Sequence, residues 1–258
     1  MLRTSSDLSE VKSKIRSFIR RSVEISQTDG IVFELGGDVN SAVTAHLCVE
    51  ALGSRRVIGL IMPDLRLSGE EDVADAKAVA RELCLETREF DIAPIQNAFM
   101  KHLEGSRLAE ENLRARVRMS LLYYHANLLN RLVSGTADKS EYLLGYFTKH
   151  GNGGADILPI ADLYRGEVLK LAEVLGVNRR IVVKKRNSRL RGGQAAEINF
   201  ELDYGTADQI LRLRFEDGLD VKSIADRTRV PSTRVEAVLS RCESSSHKRR
   251  KPDVCSVH

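Results

Sequence analysis

A glycine-rich polar loop is the first feature of this sequence that could do chemistry. The loop consists of Gly36, Gly37, Asp38, Val39, Asn40 and Ser41. Glycines let a backbone approach a phosphate closely, and the helical spacing after the loop would supply free N–H groups and a positive dipole end. The loop has neither the lysine of GxxxxGK[ST] nor the spacing of GxGxxG, so it is compatible with an ordinary turn as well as with phosphate binding.

Basic residues are clustered, although the formal net charge of the chain is only +4. One cluster lies at 179–191 and another at 247–251. Such clusters attract anions such as nucleotides, nucleic acids or membrane lipids, and the alternative is a solvated basic loop. A long, polar, glycine-rich stretch at 134–164 is bounded by apolar residues, and loops of that length usually serve a function.

The composition, with 42% hydrophobic and 29% charged residues among 258, indicates a globular protein with a full core. No apolar run approaches the ~20 residues of a membrane span, and the N-terminus lacks the apolar segment of a signal peptide. We therefore expect a cytoplasmic protein without membrane contact. The four cysteines form no CxxC pair, so neither a zinc site nor a redox dithiol is indicated.

The elements that would position the polar loop alternate between strands and helices. Strands are predicted at 30–35, 57–62, 87–92 and 132–135, the first of them buried. Helices are predicted at 40–52, 70–83 and 108–130, after an opening amphipathic helix with Asp7 as its N-cap. This alternation predicts an α/β fold, a Rossmann-like doubly wound parallel sheet with helices on both faces. Ligands bind such sheets at the carboxyl ends of the strands.

The C-terminal part is expected to be helical. Further helices are predicted at 140–144, 163–175, 206–213, 221–226 and 233–239, and the last two superficially resemble a helix-turn-helix. Because no linker rich in glycine, serine or proline divides the chain, we expect one domain over residues 1–258. The tail at about 244–258 is expected to be mobile.

Taken together, the motifs resemble the ammonia-dependent NAD synthetases of the N-type ATP pyrophosphatase superfamily. Residues 112–127 (NLRARVRMSLLYYHAN) resemble that family's Asn-x-x-Ala-Arg-x-Arg-Met helix. Residues 134–164 resemble its Gly-Thr-x-Asn-x-x-Glu, Gly-Tyr-Phe-Thr-Lys-x-Gly-Asp-Gly and Asp-Ile-Leu-Pro-Ile motifs, and residues 247–249 match its closing His-Lys-Arg. The resemblance covers nearly the whole chain.

The resemblance implies a role for each matched residue. The ATP-binding positions are Gly36, Gly37, Asp38, Val39, Asn40, Ser41, Thr136, Arg165 and Asn187. The positions that would contact the dinucleotide substrate are Arg116, Arg118, Lys149, Asp156, His247 and Lys248. Asn40 and Glu141 stand at magnesium ligands, and no side-chain nucleophile is implied.

The ATP-binding loop departs from the family pattern, which is Ser-Gly-Gly-x-Asp-Ser. Gly36 stands at the first serine, Asp38 at the second glycine and Asn40 at a magnesium-binding aspartate. Asp38 could supply the missing carboxylate, and it could equally repel phosphates. Arg165 takes the place of a lysine and keeps its charge. The other departures are Asn187, Ala195 and Ala196, which replace a hydroxyl residue, a threonine and an aspartate.

The implied reaction is the ATP-dependent amidation of nicotinic acid adenine dinucleotide by ammonia to NAD, through an acyl-adenylate, with release of AMP and pyrophosphate. The resemblance also implies magnesium and a homodimer. No glutaminase segment is found in the sequence, so free ammonia is the expected nitrogen source, and a separate glutaminase partner stays open. Two alternatives are a weakened or inactive paralogue that keeps the dinucleotide site and, more remotely, a nucleic-acid-binding module; otherwise no nucleic-acid partner is expected.

Overall fold

The computed structural model describes residues 5–67, 69–184 and 202–257, and a parallel sheet lies at its centre. The strands are β1 (Gly30–Glu34), β2 (Val57–Ile61), β3 (Glu86–Glu89) and β4 (Arg131–Ser134). They lie in the order β3-β2-β1-β4, and every neighbouring pair is parallel. Parallel neighbours need a crossover connection, which is why strands and helices alternate along the chain.

Helices flank the sheet and form the C-terminal part. They are α1 (Ser5–Ile25), α2 (Val39–Leu52), α3 (Glu70–Glu82), α4 (Ala93–Met100), α5 (Arg107–Leu128), α6 (Lys139–Leu144), α7 (Arg165–Val174), α8 (Arg179–Val183), α9 (Tyr204–Phe215), α10 (Val221–Thr228) and α11 (Ser232–Ser244). Among the described residues, no helix is both long enough and apolar enough to cross a membrane. The predicted α/β class with a helical C-terminal part is confirmed.

Strand side chains alternate between two cores, because successive residues of a strand point to opposite faces. Ile31 and Phe33 of β1 pack in a core shared with α1, α2 and α7, whereas Val32 packs in a core shared with α5. Both faces of the central strand are therefore buried, as is usual for a parallel sheet. A third core joins α6 to α9, α10 and α11.

The direction of the chain across the sheet switches at β1. Since β2 pairs with one edge of β1 and β4 with the other, the loops after β1 and β4 leave the sheet side by side. Open α/β sheets bind ligands at such a switch point. The fold thus brings the loop at 36–41 next to the segment that follows β4, although the two are distant in sequence.

The main differences between the predicted elements and the structure concern α1, β3, α4 and α8. Helix α1 begins at Ser5, so Asp7 lies in its first turn and the prediction of an N-cap there is wrong. Strand β3 begins one residue before the predicted strand and ends at Glu89, and its side chains are polar, with Glu86 and Glu89 exposed and Thr87 and Arg88 half-buried. Helices α4 and α8 have no counterpart among the predicted elements, since they are short and α4 opens with a proline.

Gly37 allows α3 to approach the loop after β1. Its φ of +75° is a left-handed conformation that costs a residue with a Cβ about 1–2 kcal/mol. A Cβ at this position would also overlap the main-chain oxygen of Asp72 in the first turn of α3. A Cβ at the neighbouring Gly36 would meet only Asp38 Oδ2, at 3.9 Å.

Alanine substitutions at these two glycines are expected to differ in their effect on stability. Gly37→Ala should lower the free energy of unfolding by about 2–4 kcal/mol, because both backbone strain and overlap with α3 are introduced. The matched control Gly36→Ala should change it by less than about 0.5 kcal/mol. Urea unfolding followed by circular dichroism measures both values, and equal effects would contradict this account of the loop.

Candidate ligand site at the carboxyl ends of β1 and β4

The loop after β1 is closed by its own hydrogen bonds. Asp38 is the N-cap of α2, and its Oδ1 accepts the main-chain N–H of Ser41 at 2.8 Å. The Ser41 hydroxyl donates to the Asp38 main-chain oxygen at 3.0 Å and accepts the N–H of Gly36 at 3.3 Å. The carboxylate of Asp38 thus occupies the helix N-terminus, the position at which a phosphate would be stabilised.

Asn40 is fully buried and connects this loop to the segment after β4. Its amide nitrogen donates to Asp138 Oδ2 at 3.0 Å and to Glu141 Oε2 at 3.3 Å. Its amide oxygen accepts Nη1 of Arg165 at 2.6 Å. The opposite amide orientation would place the oxygen against two carboxylates and the nitrogen against a guanidinium, so the surrounding charges select the observed orientation.

Asp138 is a buried residue of this site that the sequence analysis does not assign. It is the N-cap of α6, where its Oδ1 accepts the N–H of Glu141 at 2.8 Å, and its Oδ2 lies 3.6 Å from Nη1 of Arg165. An acidic residue three positions before a glutamate at a helix start is a capping signal that the sequence does contain. The signal indicates a local cap, not the long-range contact with Asn40.

The two predicted magnesium ligands do not present two oxygens to one point. The amide nitrogen of Asn40 faces Glu141, and its oxygen is held by a guanidinium. This arrangement does not fit a magnesium ion between Asn40 and Glu141, because hard dications are bound by oxygen atoms. Among the residues that the structure describes, no group of three or more His, Cys, Asp or Glu side chains could hold a metal ion.

The predicted substrate residues on α5 lie near the same edge of the sheet. Arg118 donates from Nε to the Met62 main-chain oxygen at 2.9 Å and lies 3.4 Å from Glu34 Oε1 at the end of β1. Arg116 is exposed, and its Nη2 donates to the Lys149 main-chain oxygen at 3.4 Å. The guanidinium of Arg116 therefore contacts the main chain of Lys149.

Asp156 anchors the segment after the glycine-rich stretch to the sheet. Its Oδ2 accepts the N–H of Val133 in β4 at 2.7 Å, and its Oδ1 accepts the hydroxyl of Tyr123 at 3.0 Å. Burial, together with the charge and hydrogen bond of Asp156, raises the pKa of Tyr123 to about 12. The carboxylate that was predicted to contact substrate thus has main-chain and phenol partners within the protein.

The basic C-terminal segment binds main-chain carbonyls at the end of α6. Nζ of Lys248 donates to the oxygens of Gly145 and Phe147, both at 2.9 Å. Arg249 donates to the oxygens of Tyr142 and Leu143. Cations are stabilised at this end of a helix dipole. Burial, with the nearby charges of Arg241 and Arg249, lowers the pKa of Lys248 to about 8.

The other predicted site residues fall into two groups. His247 is exposed beside Lys248, and Thr136 is half-buried in the loop between β4 and α6. Gly36 is exposed, whereas Gly37, Val39 and Ser41 are buried within the closed loop. Asn187, Ala195 and Ala196 lie outside the described residues, as does most of the basic cluster at 179–191.

Asp208 of α9 ties the C-terminal helices to this site. Its Oδ1 accepts the Ser140 hydroxyl at 2.5 Å, and its Oδ2 accepts the N–H of Gly166 at 2.8 Å. Burial and the negative charges of Asp138 and Glu167 raise the pKa of Asp208 to about 6, although both hydrogen bonds act in the opposite direction. A carboxyl group that is partly protonated near neutral pH thus joins α6, α7 and α9.

Comparison with known proteins gives one consistent result. The family model described as NAD synthase matches residues 11–252. An NH(3)-dependent NAD(+) synthetase of Archaeoglobus fulgidus is 45% identical over 249 residues, which make up 96% of this chain and 97% of that protein. A protein of the same name from Methanosarcina mazei is 41% identical over 256 residues, covering 98% of this chain and all 100% of its own length.

Two solved structures resemble the fold along nearly its full length. The NH3-dependent NAD synthetase of Campylobacter jejuni, in complex with nitrate, superposes with a TM-score of 0.82 at 30% identity and covers 96% of this chain and 99% of that one. The NMN synthetase of Francisella tularensis gives a TM-score of 0.82 at 29% identity, with 96% and 98% of the two chains covered.

The raised pKa of Asp208 predicts that stability depends on pH. Its carboxyl group has a pKa near 3.9 when unfolded and about 6 when folded, so its stabilising contribution is complete below pH 4 and is lost as pH rises through 6. The stability advantage of the wild type over Asp208→Asn should shrink by about 2–3 kcal/mol between pH 4 and 7. Urea unfolding at four pH values measures this difference, and a constant difference would contradict the assignment.

Proposed function

The chain belongs to the NAD synthase family, and on that premise we propose that it converts nicotinic acid adenine dinucleotide to NAD, with ATP and ammonia as co-substrates. The proposal rests mainly on the contact between Asn40 and Asp138, which lie 98 residues apart and 3.0 Å from each other. This contact places the helix N-terminus after β1 beside the polar stretch after β4, where a nucleotide and an acyl substrate can meet.

The proposed reaction has two steps. An oxygen of the substrate carboxylate attacks the α-phosphorus of ATP, the bond to the β-phosphate breaks, and pyrophosphate leaves with the electron pair. The nitrogen of ammonia then attacks the carbonyl carbon of the acyl-adenylate, the bond to AMP breaks, and a nitrogen proton is released. Neither step needs a side-chain nucleophile, so the protein contributes positioning and charge stabilisation.

The residues at the switch point suit these two tasks. We propose that the phosphates of ATP lie beside the start of α2, with Thr136 in the adjacent loop. Arg116, whose guanidinium contacts the main chain of Lys149, and Lys149 itself are the cations that we propose bind the phosphates of the dinucleotide. We propose that magnesium arrives with ATP, and no step depends on an ion between Asn40 and Glu141.

Two other functional hypotheses can be distinguished from the proposed enzyme activity. A weakened or inactive paralogue is favoured by the substitutions at Asp38 and Asn40, both of which have partners within the protein. A nucleic-acid-binding module is disfavoured, because the exposed face of α11 carries the acidic residues Glu236 and Glu243. Because the chain also resembles an NMN synthetase, nicotinic acid mononucleotide is a second candidate substrate. It is smaller than the dinucleotide and has the same reacting carboxylate.

We also propose that the protein is a homodimer, as the resemblance implies. Tyr124 and Leu128 of α5 support this, because they are 62% and 60% exposed and lie four residues apart on one helix face. Large apolar side chains exposed together are typical of contact surfaces. The mass of the protein in solution tests this proposal independently of activity.

A direct assay tests the proposed reaction. Wild-type protein with ATP, magnesium, ammonia and nicotinic acid adenine dinucleotide should produce NAD and AMP in a one-to-one ratio. Nicotinic acid mononucleotide in parallel reactions tests the smaller substrate. Absence of both products at high enzyme concentration would overturn the enzyme proposal and leave the inactive paralogue.

Arg116 should matter for the dinucleotide rather than for folding. Arg116→Ala should raise KM for the dinucleotide about 10- to 100-fold, because a charge-assisted phosphate contact is lost. Arg107→Ala, on the same helix and ion-paired with Glu111, is the matched control and should leave KM unchanged. Equal changes in the two variants would remove Arg116 from the proposed site.

Asp38 should weaken anion binding at the start of α2. Asp38→Asn keeps a side-chain acceptor for the N–H of Ser41 and removes one negative charge beside the phosphates. Affinity for pyrophosphate, measured by calorimetry, should rise about three- to tenfold. Asp220→Asn makes the same change at the N-cap of α10 and is the control. A fall in pyrophosphate affinity confined to Asp38→Asn would instead show that this carboxylate assists binding.

A further inference from the structure

A protein cation contacts Asn40, one of the two residues that family resemblance makes a magnesium ligand. We propose that the Arg165 guanidinium, acting with the Asn40 amide, replaces a divalent cation at Asp138 and Glu141, so that the native chain holds no tightly bound metal there. The inference deepens the proposed function and depends on it only for naming magnesium as the expected ion.

The first support is the orientation of Asn40. Its two N–H groups face two different carboxylates, at 3.0 Å from Asp138 Oδ2 and 3.3 Å from Glu141 Oε2. A metal ion would need oxygen atoms in that direction, and the amide presents hydrogen-bond donors instead. The amide thus satisfies, with two hydrogen bonds, the carboxylate oxygens that an ion would otherwise bind.

The second support is the placement of Arg165. Its Nη1 lies 2.6 Å from the amide oxygen of Asn40 and 3.6 Å from Asp138 Oδ2, and its charge is permanent because a guanidinium is not deprotonated in proteins. Arg165 is the first residue of α7, and its main-chain N–H donates to the Ser140 hydroxyl at 3.1 Å. Both its main chain and its side chain are therefore tied to this site.

The third support is the balance of buried charge. Asp138, Glu141 and Arg165 are 0%, 1% and 7% exposed, so their charges must be compensated mainly by one another. The three together carry a net charge of −1, whereas an aspartate at position 40 would bring it to −2. That aspartate would also place carboxylate oxygens where the amide nitrogen now donates, which is an arrangement that requires a cation.

Asn40 and Arg165 are thus expected to act together in excluding a divalent metal from this site. An aspartate at position 40 would restore an oxygen ligand, and loss of the Arg165 charge would remove the cation that lies 3.6 Å from Asp138 Oδ2. Either change should open the site to a divalent metal. The native combination should not, because the Asn40 amide donates to both carboxylates and the Arg165 guanidinium lies near that of Asp138.

Manganese binding tests this inference without any substrate. The electron paramagnetic resonance signal of free Mn²⁺ would be titrated with wild-type protein, Asn40→Asp and Arg165→Gln, all without nucleotide. Wild-type protein should bind with a Kd weaker than about 1 mM, and each variant at least about tenfold more tightly. Asn178→Asp, which adds the same charge at the exposed N-cap of α8, is the control and should behave as wild type.

Thermal unfolding provides a second readout. In EDTA, Asn40→Asp should unfold about 5 °C or more below wild type, since three buried carboxylates then converge, and Mn²⁺ should restore much of the loss. Stoichiometric Mn²⁺ binding by wild-type protein with a Kd below about 0.1 mM would overturn the inference. Folded variants that bind Mn²⁺ no better than wild type would also overturn it. If neither variant folds, the wild-type titration alone decides, and none of these outcomes depends on NAD formation.

Discussion

The buried carboxylate of Asp138 is the interaction on which the arrangement of this site depends. It caps α6, accepts a hydrogen bond from the amide of Asn40 in the first turn of α2, and lies near the guanidinium of Arg165 at the start of α7. A charge that is 0% exposed is tolerated only where partners surround it, because an unpaired buried ion costs several kcal/mol. Because the Asp138 carboxylate requires these partners, the N-termini of α2, α6 and α7 are held together around it.

The residues at which this chain departs from the family pattern, Asp38 and Asn40, have hydrogen-bond partners within the protein. The Asp38 carboxylate accepts from Ser41, and the Asn40 amide bridges two acids and an arginine. Substitutions that only eroded a site would leave polar atoms without hydrogen bonds, which is costly in a buried position. Here the polar groups satisfy one another, so the departures from the family pattern at Asp38 and Asn40 are internally compensated.

Sequence patterns were sufficient for the sheet and insufficient for the contacts at its edge. The strands around Ile31 and Ile58 were predictable because an apolar run of strand length, bounded by turns, is a local signal. The loop of Asn40 was expected at the carboxyl end of a strand because strands and helices alternate, and Glu141 was assigned to the same site by resemblance alone. That the Asn40 nitrogen, rather than its oxygen, faces Glu141 depends on Arg165, 125 residues away, and no local pattern contains that information. Likewise the charge of Lys248 was evident, but its carbonyl partners were not.

Helix α6, only six residues long, is held at its start by Asp138 and at its end by Lys248 and Arg249. A helix this short is not stable alone, since isolated helices below about 12–15 residues are marginal in water. The hydrogen bonds at the end of α6 come from residues more than 100 positions further along the chain. The end of α6 therefore receives these bonds only after a distant segment has folded back onto it, so this helix forms as part of the tertiary structure and not before it.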